Sequence, residues 1–207
     1  MLAPEEKLKL ATKPYLATTQ RFANGADTPR DFLERCLADL AALEPRIGAF
    51  VHLNLDGARA AADHSTRRWR EGRQRSPIDG MPLGIKDIIE TADMPTENGS
   101  PLFAGWRSER DGASVAALRE AGAVIVGKTV TTEFAATEPR GTRNPHDLRR
   151  TPGGSSSGSA AAVAAGMLSA ALGTQVIGST IRPASYCGCT GFKASVGALN
   201  RAAVMMD

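Results

Sequence analysis

The stretch from residue 151 to residue 195 constrains the fold most, because it joins two glycine–serine turns to a run of tiny side chains. Residues 160–165 are nearly all alanine, which favours a helix whose backbone packs closely against its neighbours. Gly166 is a typical helix stop, and residues 167–172 are apolar and short enough for a buried strand. The second turn, residues 173–179, follows directly and ends in a serine. We therefore expect a compact turn–helix–strand–turn unit around which the rest of the chain is organised.

The two turns allow a catalytic or a structural interpretation. In residues 173–179 the closing serine follows a run of backbone N–H groups, which suits a nucleophile beside an oxyanion hole. A P-loop is excluded, because the spacing of Gly153 and Gly158 is not followed by the lysine that this motif requires. A flexible linker would not lead into an alanine helix and an apolar strand. From the residues alone, the catalytic and the structural interpretation are equally supported.

The composition is that of a globular chain without a strong charge bias. Its 207 residues, 42% of them hydrophobic, are enough for one domain. The 25 basic and 22 acidic residues leave a net charge of +3, which is too small to indicate a nucleic-acid or membrane partner. No apolar segment has the length of a signal-peptide core or a membrane span, so we expect a cytoplasmic protein.

The three cysteines do not form a disulfide framework, since their number is odd and only Cys187 and Cys189 are close in sequence. A metal site would need a second cysteine pair or a nearby histidine to complete it, and the sequence offers neither. We therefore expect reduced, structural cysteines, no metal and no cofactor.

The pattern of apolar residues predicts an N-terminal arm, residues 1–27, followed by one α/β domain, residues 28–207. Thr28 is a good helix cap, with Pro29 at the first helical position and Asp31 in the first turn. A helix, a glycine and a strand in succession at residues 114–126 are typical of an α/β layer. The predicted helices are 28–44 (ended by Pro45), 58–69 and 114–121, and the predicted strands are 47–55, 81–89 and 123–126.

Lys86 lies within the apolar strand at residues 81–89, where a charged ammonium group is costly to bury. One interpretation is an edge lysine or an ion pair with the neighbouring Asp87. The other is a lysine whose pKa burial lowers, so that it can accept a proton. The residues alone favour the first interpretation.

Other titratable residues give weaker signals. Lys128, at the end of a predicted strand, is expected to position backbone or to pair with Glu133. His52 lies in a strand and is expected to be a surface or hydrogen-bonded residue rather than a ligand. His146 is a candidate partner for Ser179, but no G-x-S-x-G elbow surrounds that serine, and a histidine in so polar a loop usually faces solvent.

Several linked segments, in the same order, resemble the amidase signature family. The resemblance covers roughly residues 28–207. The matching segments are MPLGIKD at 81–87, REAGAVIVGKTVTTEFA at 119–135, TRNPHDLRRTPGG at 142–154, GGSSSGS at 153–159, GTQVIGSTIRPAS at 173–185 and CGCTGFKAS at 187–195.

The resemblance implies a Ser–Ser–Lys catalytic triad. The family's catalytic lysine matches Lys86, its bridging serine, which follows a cis peptide bond, matches Ser155, and its nucleophile matches Ser179. The backbone amides of Val176, Ile177, Gly178 and Ser179 match its oxyanion hole. Ile177 stands where most members have glycine, and its branched side chain disfavours a positive φ at this position.

The resemblance also implies a fold, namely a mixed sheet core flanked by helices. Family members run to more than twice this length, so the chain is expected to be the truncated, N-terminal half of an amidase. The implied reaction is hydrolysis of a small-molecule carboxamide through an acyl-enzyme on Ser179. No nucleic-acid or membrane partner is expected, and a homodimer stays open because nothing in the residues determines the oligomeric state.

Two alternatives remain. The first is the A subunit of a tRNA-dependent amidotransferase, a glutaminase, although Gln175 and the GS-x-IRPA pattern at residues 178–184 argue against it. The second is an inactive remnant that serves as a binding module, which the missing half of the family's length suggests. Such a remnant, with an incomplete sheet and exposed apolar edges, should lack a cooperative thermal transition.

Overall fold

The computed structural model describes residue 8 and residues 10–204, and these residues contain a four-stranded mixed sheet. The strand order is β1–β3–β2–β4. Strand β2 runs parallel to β3 and to β4, whereas β1 runs antiparallel to β3. The predicted α/β class with a mixed sheet is confirmed. The strands are β1 (Phe50–Leu53), β2 (Pro82–Lys86), β3 (Val124–Thr129) and β4 (Ala170–Leu172).

Helices pack against this sheet and cover its apolar core. Among the described residues, every helix is too short or too polar to cross a lipid bilayer. Short 3-10 turns occupy Pro101–Phe103 and Glu133–Ala135. The α-helices are α1 (Tyr15–Ala23), α2 (Pro29–Ile47), α3 (Leu55–Arg70), α4 (Ala113–Glu120), α5 (Ser157–Ala164) and α6 (Ile181–Cys187).

Helix α2 begins as predicted but ends later. The Thr28 side chain caps it by accepting a hydrogen bond from the Asp31 amide. The helix continues through Pro45, which removes only one backbone donor, and stops at Gly48 with φ 64°. The Glu44 carboxylate then accepts hydrogen bonds from two following amides, so the extended chain begins at residue 50 rather than 47.

The N-terminal segment contributes aromatic packing. Tyr15 and Phe22 of α1 are buried, and both rings contact Phe32 of α2. Phe22 also meets Trp69 of α3 edge-on at 5.7 Å between ring centroids. Residues 1–7 and 9 of the predicted N-terminal arm, and residues 205–207 of the predicted domain, lie outside the described residues.

Helix α5 lies close to the sheet because its side chains are small. A Cβ atom at Gly158 would come within 2.1 Å of the Ala49 carbonyl oxygen and 2.4 Å of the Val130 amide nitrogen. The Gly158 amide donates to the Val130 carbonyl at 3.0 Å, which places the start of α5 at the end of β3. The strand after α5 is shorter than predicted, since β4 begins only at Ala170; Met167 and Leu168 precede it and are buried in the core.

Candidate active site

Lys86 is the last residue of β2, and its side chain is fully buried. Its Nζ donates to Ser155 Oγ at 2.7 Å and to Thr174 Oγ1 at 2.8 Å. Burial lowers the pKa of Lys86 to about 7, because a charged ammonium group is poorly solvated there. The ion pair with Asp87 that the sequence favours is wrong. Lys86 is instead a buried amine whose donors end on two hydroxyl groups.

The adjacent Asp87 pairs with Lys128 instead, at 3.3 Å between Oδ1 and Nζ, and both side chains are fully buried. Lys128 Nζ also donates to the Pro95 carbonyl at 3.0 Å. In the parallel pair Lys128 lies opposite Ile85, one position before Lys86, so the two lysines lie on opposite faces of the sheet. Of the two roles expected for Lys128, the contact with backbone is confirmed and the pairing with Glu133 is wrong, since Glu133 pairs with Arg140.

Ser155 is fully buried, and the peptide groups around it are held on both sides. The peptide bond between Gly154 and Ser155 is cis, as the resemblance implies. The Thr132 amide donates to the Ser155 carbonyl at 3.1 Å, and the Ser156 amide donates to the Ser179 carbonyl at 3.0 Å. This last hydrogen bond connects the two serine-containing turns directly.

Ser179 closes the second turn in a half-buried position. Its hydroxyl makes no hydrogen bond to another residue in the part of the chain that the structure describes. Within the same described residues, the amides of positions 176–179 likewise donate to no partner. A polarised oxygen beside this turn would find unused N–H donors, which is what an oxyanion hole requires.

The side chains of Val176 and Ile177 point outward and are 94% and 96% exposed. Ile177 has no positive φ, so its branched side chain is compatible with the turn. Gln175 stabilises the turn by connecting its start to the residues that follow Ser179. Its Oε1 accepts hydrogen bonds from the Thr180 and Ile181 amides, each at 2.9 Å.

The remaining candidates lie apart from this cluster. His146 Nε2 contacts the Cys187 carbonyl oxygen at 2.8 Å and not Ser179. His52 Nε2 lies 3.1 Å from a carboxylate oxygen of Glu97. Burial raises the pKa of Cys187 to about 12, in agreement with a structural role. The described residues contain no group of three or more metal-ligating side chains.

A cavity of about 780 Å³ lies beside β4 and α5. It adjoins the site through Ser156, Gly173 and Thr180 but is not lined by Lys86, Ser155 or Ser179. The cavity therefore lies next to the Lys86–Ser155 pair and does not enclose it. Thr174, the second partner of Lys86, has no distinguishing signal in the sequence except its place in the turn motif.

The family model described as Amidase matches residues 31–206. A curated relative, the A subunit of the glutamyl-tRNA(Gln) amidotransferase of Chloroflexus aggregans, is 45% identical over 185 residues, which cover 86% of this chain and 38% of the relative. The corresponding protein of Anaeromyxobacter is 43% identical over 183 residues, 84% of this chain and 37% of the relative. The names of these relatives include a tRNA, so the prediction that this chain has no nucleic-acid partner is not supported.

Solved structures agree in fold. The peptide amidase of Stenotrophomonas maltophilia is 38% identical with a TM-score of 0.86, over 93% of this chain and 43% of that chain. The A subunit of the glutamyl-tRNA(Gln) amidotransferase of Thermotoga maritima is 32% identical with a TM-score of 0.76, over 96% and 42%. The chain thus spans about two fifths of the length of the proteins it matches.

Proposed function

This chain belongs to the amidase family, and we propose that its site cleaves the C–N bond of a small carboxamide through an acyl-enzyme on Ser179. The match of the family model to residues 31–206 confirms the family that the sequence motifs indicated. The observation that carries the proposal is the 2.7 Å contact between Lys86 Nζ and Ser155 Oγ, made by a fully buried lysine.

Lys86 has the properties of a general base. A lysine with an ordinary pKa is protonated at neutral pH and cannot accept a proton, whereas a pKa of about 7 leaves about half of the molecules neutral at pH 7. In the neutral amine, an N–H donated to Thr174 leaves the lone pair free to accept the Ser155 proton along the 2.7 Å contact.

Ser155 relays the proton between Lys86 and Ser179. Its hydroxyl can donate to the amine and accept from the nucleophile at the same time. The hydrogen bond from the Ser156 amide to the Ser179 carbonyl, 3.0 Å, keeps the two turns side by side and so supports this transfer.

The reaction consists of acylation and deacylation, and neither step requires a cofactor. Ser179 Oγ attacks the carbonyl carbon while its proton passes through Ser155 to Lys86. The backbone amides of residues 176–179 donate to the oxyanion. As the tetrahedral intermediate collapses, the C–N bond breaks, and the proton returns through Ser155 to the departing ammonia or amine. Water, deprotonated by the same relay, attacks the ester; the ester C–O bond breaks, the proton returns through Ser155 to Ser179 Oγ, and the carboxylic acid is released.

A second candidate is the glutaminase step of a tRNA-dependent amidotransferase. The names of the curated relatives, at 45% and 43% identity, favour it. Both candidates use the same release of ammonia from a carboxamide, and they differ in substrate and in the need for a protein partner. Gln175 and the pattern at residues 178–184 continue to favour the first candidate.

The test is the formation of ammonia and carboxylic acid from a peptide C-terminal carboxamide, an aliphatic amide and glutamine. We expect turnover that is lost in Ser179→Ala and Lys86→Met, while Ser185→Ala, an exposed serine on α6, stays active. Preference for glutamine would favour the second candidate. Turnover that survives Ser179→Ala would refute the nucleophile. No turnover would refute activity of this chain alone, and the lack of a cooperative unfolding transition would then favour the inactive remnant.

A further inference from the structure

Arg182 binds the peptide group that precedes Ser155. Its Nε and Nη2 both donate to the Gly154 carbonyl oxygen, at 3.0 Å and 2.7 Å. A guanidinium holds its donors in a rigid planar fork, so two hydrogen bonds to one oxygen restrict that carbonyl more than a single flexible donor would.

The charge of Arg182 is not used in an ion pair. Within the described residues, no carboxylate lies within salt-bridge distance of its guanidinium. Other exposed arginines, such as Arg140 and Arg149, do pair with acidic side chains. The contact with the Gly154 carbonyl is therefore the principal interaction of this guanidinium.

Arg182 also belongs to the segment that carries the proposed nucleophile. It lies in the first turn of α6, three residues after Ser179, and its amide donates to the Gly178 carbonyl at 2.8 Å. The Arg182 side chain thus connects the turn that contains Ser179 to the peptide group before Ser155 by hydrogen bonds. The hydrogen bond from the Ser156 amide to the Ser179 carbonyl ties the same turn to the peptide after it.

We propose that Arg182 is a positioning residue that holds the Ser155 hydroxyl in place between Lys86 and Ser179 through the Gly154 carbonyl. The inference rests on the proposed function, because it gives Arg182 a role in the proton relay. A displacement of about 1 Å in a catalytic group can cost about 100-fold in rate. Since the relay needs Ser155 to contact two partners at once, loss of the Arg182 contact with the preceding carbonyl is expected to slow the relay.

The experiment combines two measurements on folded protein. The first is hydrogen exchange at the Ser156 amide, which reports the contact between the two turns without requiring activity. The second is the maximal rate constant for labelling of Ser179 by a fluorophosphonate, measured separately from the apparent affinity for the probe. The variants are Arg182→Ala and Arg182→Lys. The matched control is Arg143→Ala, because Arg143 Nη1 also donates to a backbone carbonyl, that of Leu148, at 2.9 Å.

For Arg182→Ala we expect Ser156 exchange to be about 10-fold faster and the maximal labelling rate to fall about 10- to 100-fold, with unchanged probe affinity. Arg182→Lys, whose ammonium keeps the charge but lacks the planar fork, should give intermediate values, and Arg143→Ala should match the wild type. A purely structural role would lower the amount of folded protein and leave the maximal rate constant of the folded fraction unchanged.

The possible results distinguish failure of the inference about Arg182 from failure of the proposed function. Wild-type exchange and labelling in Arg182→Ala would overturn the inference, while labelling of wild-type Ser179 would still support the proposed function. If wild-type protein is not labelled, the proposed function of this chain fails, and the inference fails with it whatever the exchange shows. If Arg182→Ala does not fold, Arg182→Lys decides, and wild-type values for it would overturn the inference.

Discussion

Replacing Lys86 with methionine should abolish turnover and change how stability depends on pH. Burial lowers the pKa of Lys86 from 10.5 to about 7 in the folded protein, whereas the unfolded chain keeps the ordinary value. Between these two values the unfolded chain binds more protons, so the wild type gains stability as the pH rises from about 7 to about 10.5. Lys86→Met lacks this group and lacks this gain.

The magnitude follows from the size of the pKa change. A change in the pKa of Lys86 from 10.5 to about 7 destabilises the folded protein by roughly 5 kcal/mol at neutral pH, at about 1.36 kcal/mol per pKa unit. The hydroxyls of Ser155 and Thr174 lose a partner in Lys86→Met, which costs about 1–3 kcal/mol each. That cost does not depend on pH in this range. The stability of Lys86→Met relative to the wild type should therefore fall by about 3 kcal/mol between pH 7 and pH 9.5.

The assay is urea unfolding of both proteins at several pH values, with Lys193→Met as the matched control because Lys193 is exposed. For the control, the difference from the wild type should stay constant with pH. A constant difference for Lys86→Met as well would mean that Lys86 does not have a lowered pKa, and the reasoning that makes it a base would be refuted.

Three further predictions concern Ser155, Lys86 and Lys128. Ser155→Ala should lower turnover by about 10²- to 10⁴-fold in steady-state kinetics while circular dichroism still reports a folded chain, and near-wild-type rates would exclude a relay. Turnover should rise with pH through about 7 as Lys86 loses its proton, and a flat pH–rate profile would contradict this. Lys128→Met should lower the free energy of unfolding by about 3–5 kcal/mol, because Asp87 stays buried without its partner; a loss below about 1 kcal/mol in urea unfolding would contradict a structural ion pair.

Local sequence signals predicted the elements well where one short motif decides them. Thr28 and Pro29 mark the start of α2, and the small side chains of residues 157–164 produce a helix that lies close to the sheet. The end of α2 was not predictable from Pro45, because Gly48 and the Glu44 carboxylate, which accepts from the two amides after Gly48, determine where the helix stops.

Contacts within the site depend on register and on distant parts of the chain. Lys86 and Ser155 are 69 positions apart, and only the family resemblance suggested that they meet. The pairing of Lys128 with Asp87 follows from the parallel register of β2 and β3, which no local pattern reveals. Thr174 and Arg182 form hydrogen bonds to residues far away in the sequence, Lys86 and Gly154, so their partners could not be predicted from a local pattern.

The most direct test of the central claim is the intact mass of the chain after exposure to a fluorophosphonate, followed by peptide mapping. The activated-serine account predicts one added probe mass, located on Ser179, and no added mass in Ser179→Ala. Lys86→Met should label far more slowly than the wild type. Labelling that persists in Ser179→Ala, or folded wild-type protein that takes up no probe, would contradict the claim that Lys86 and Ser155 activate Ser179.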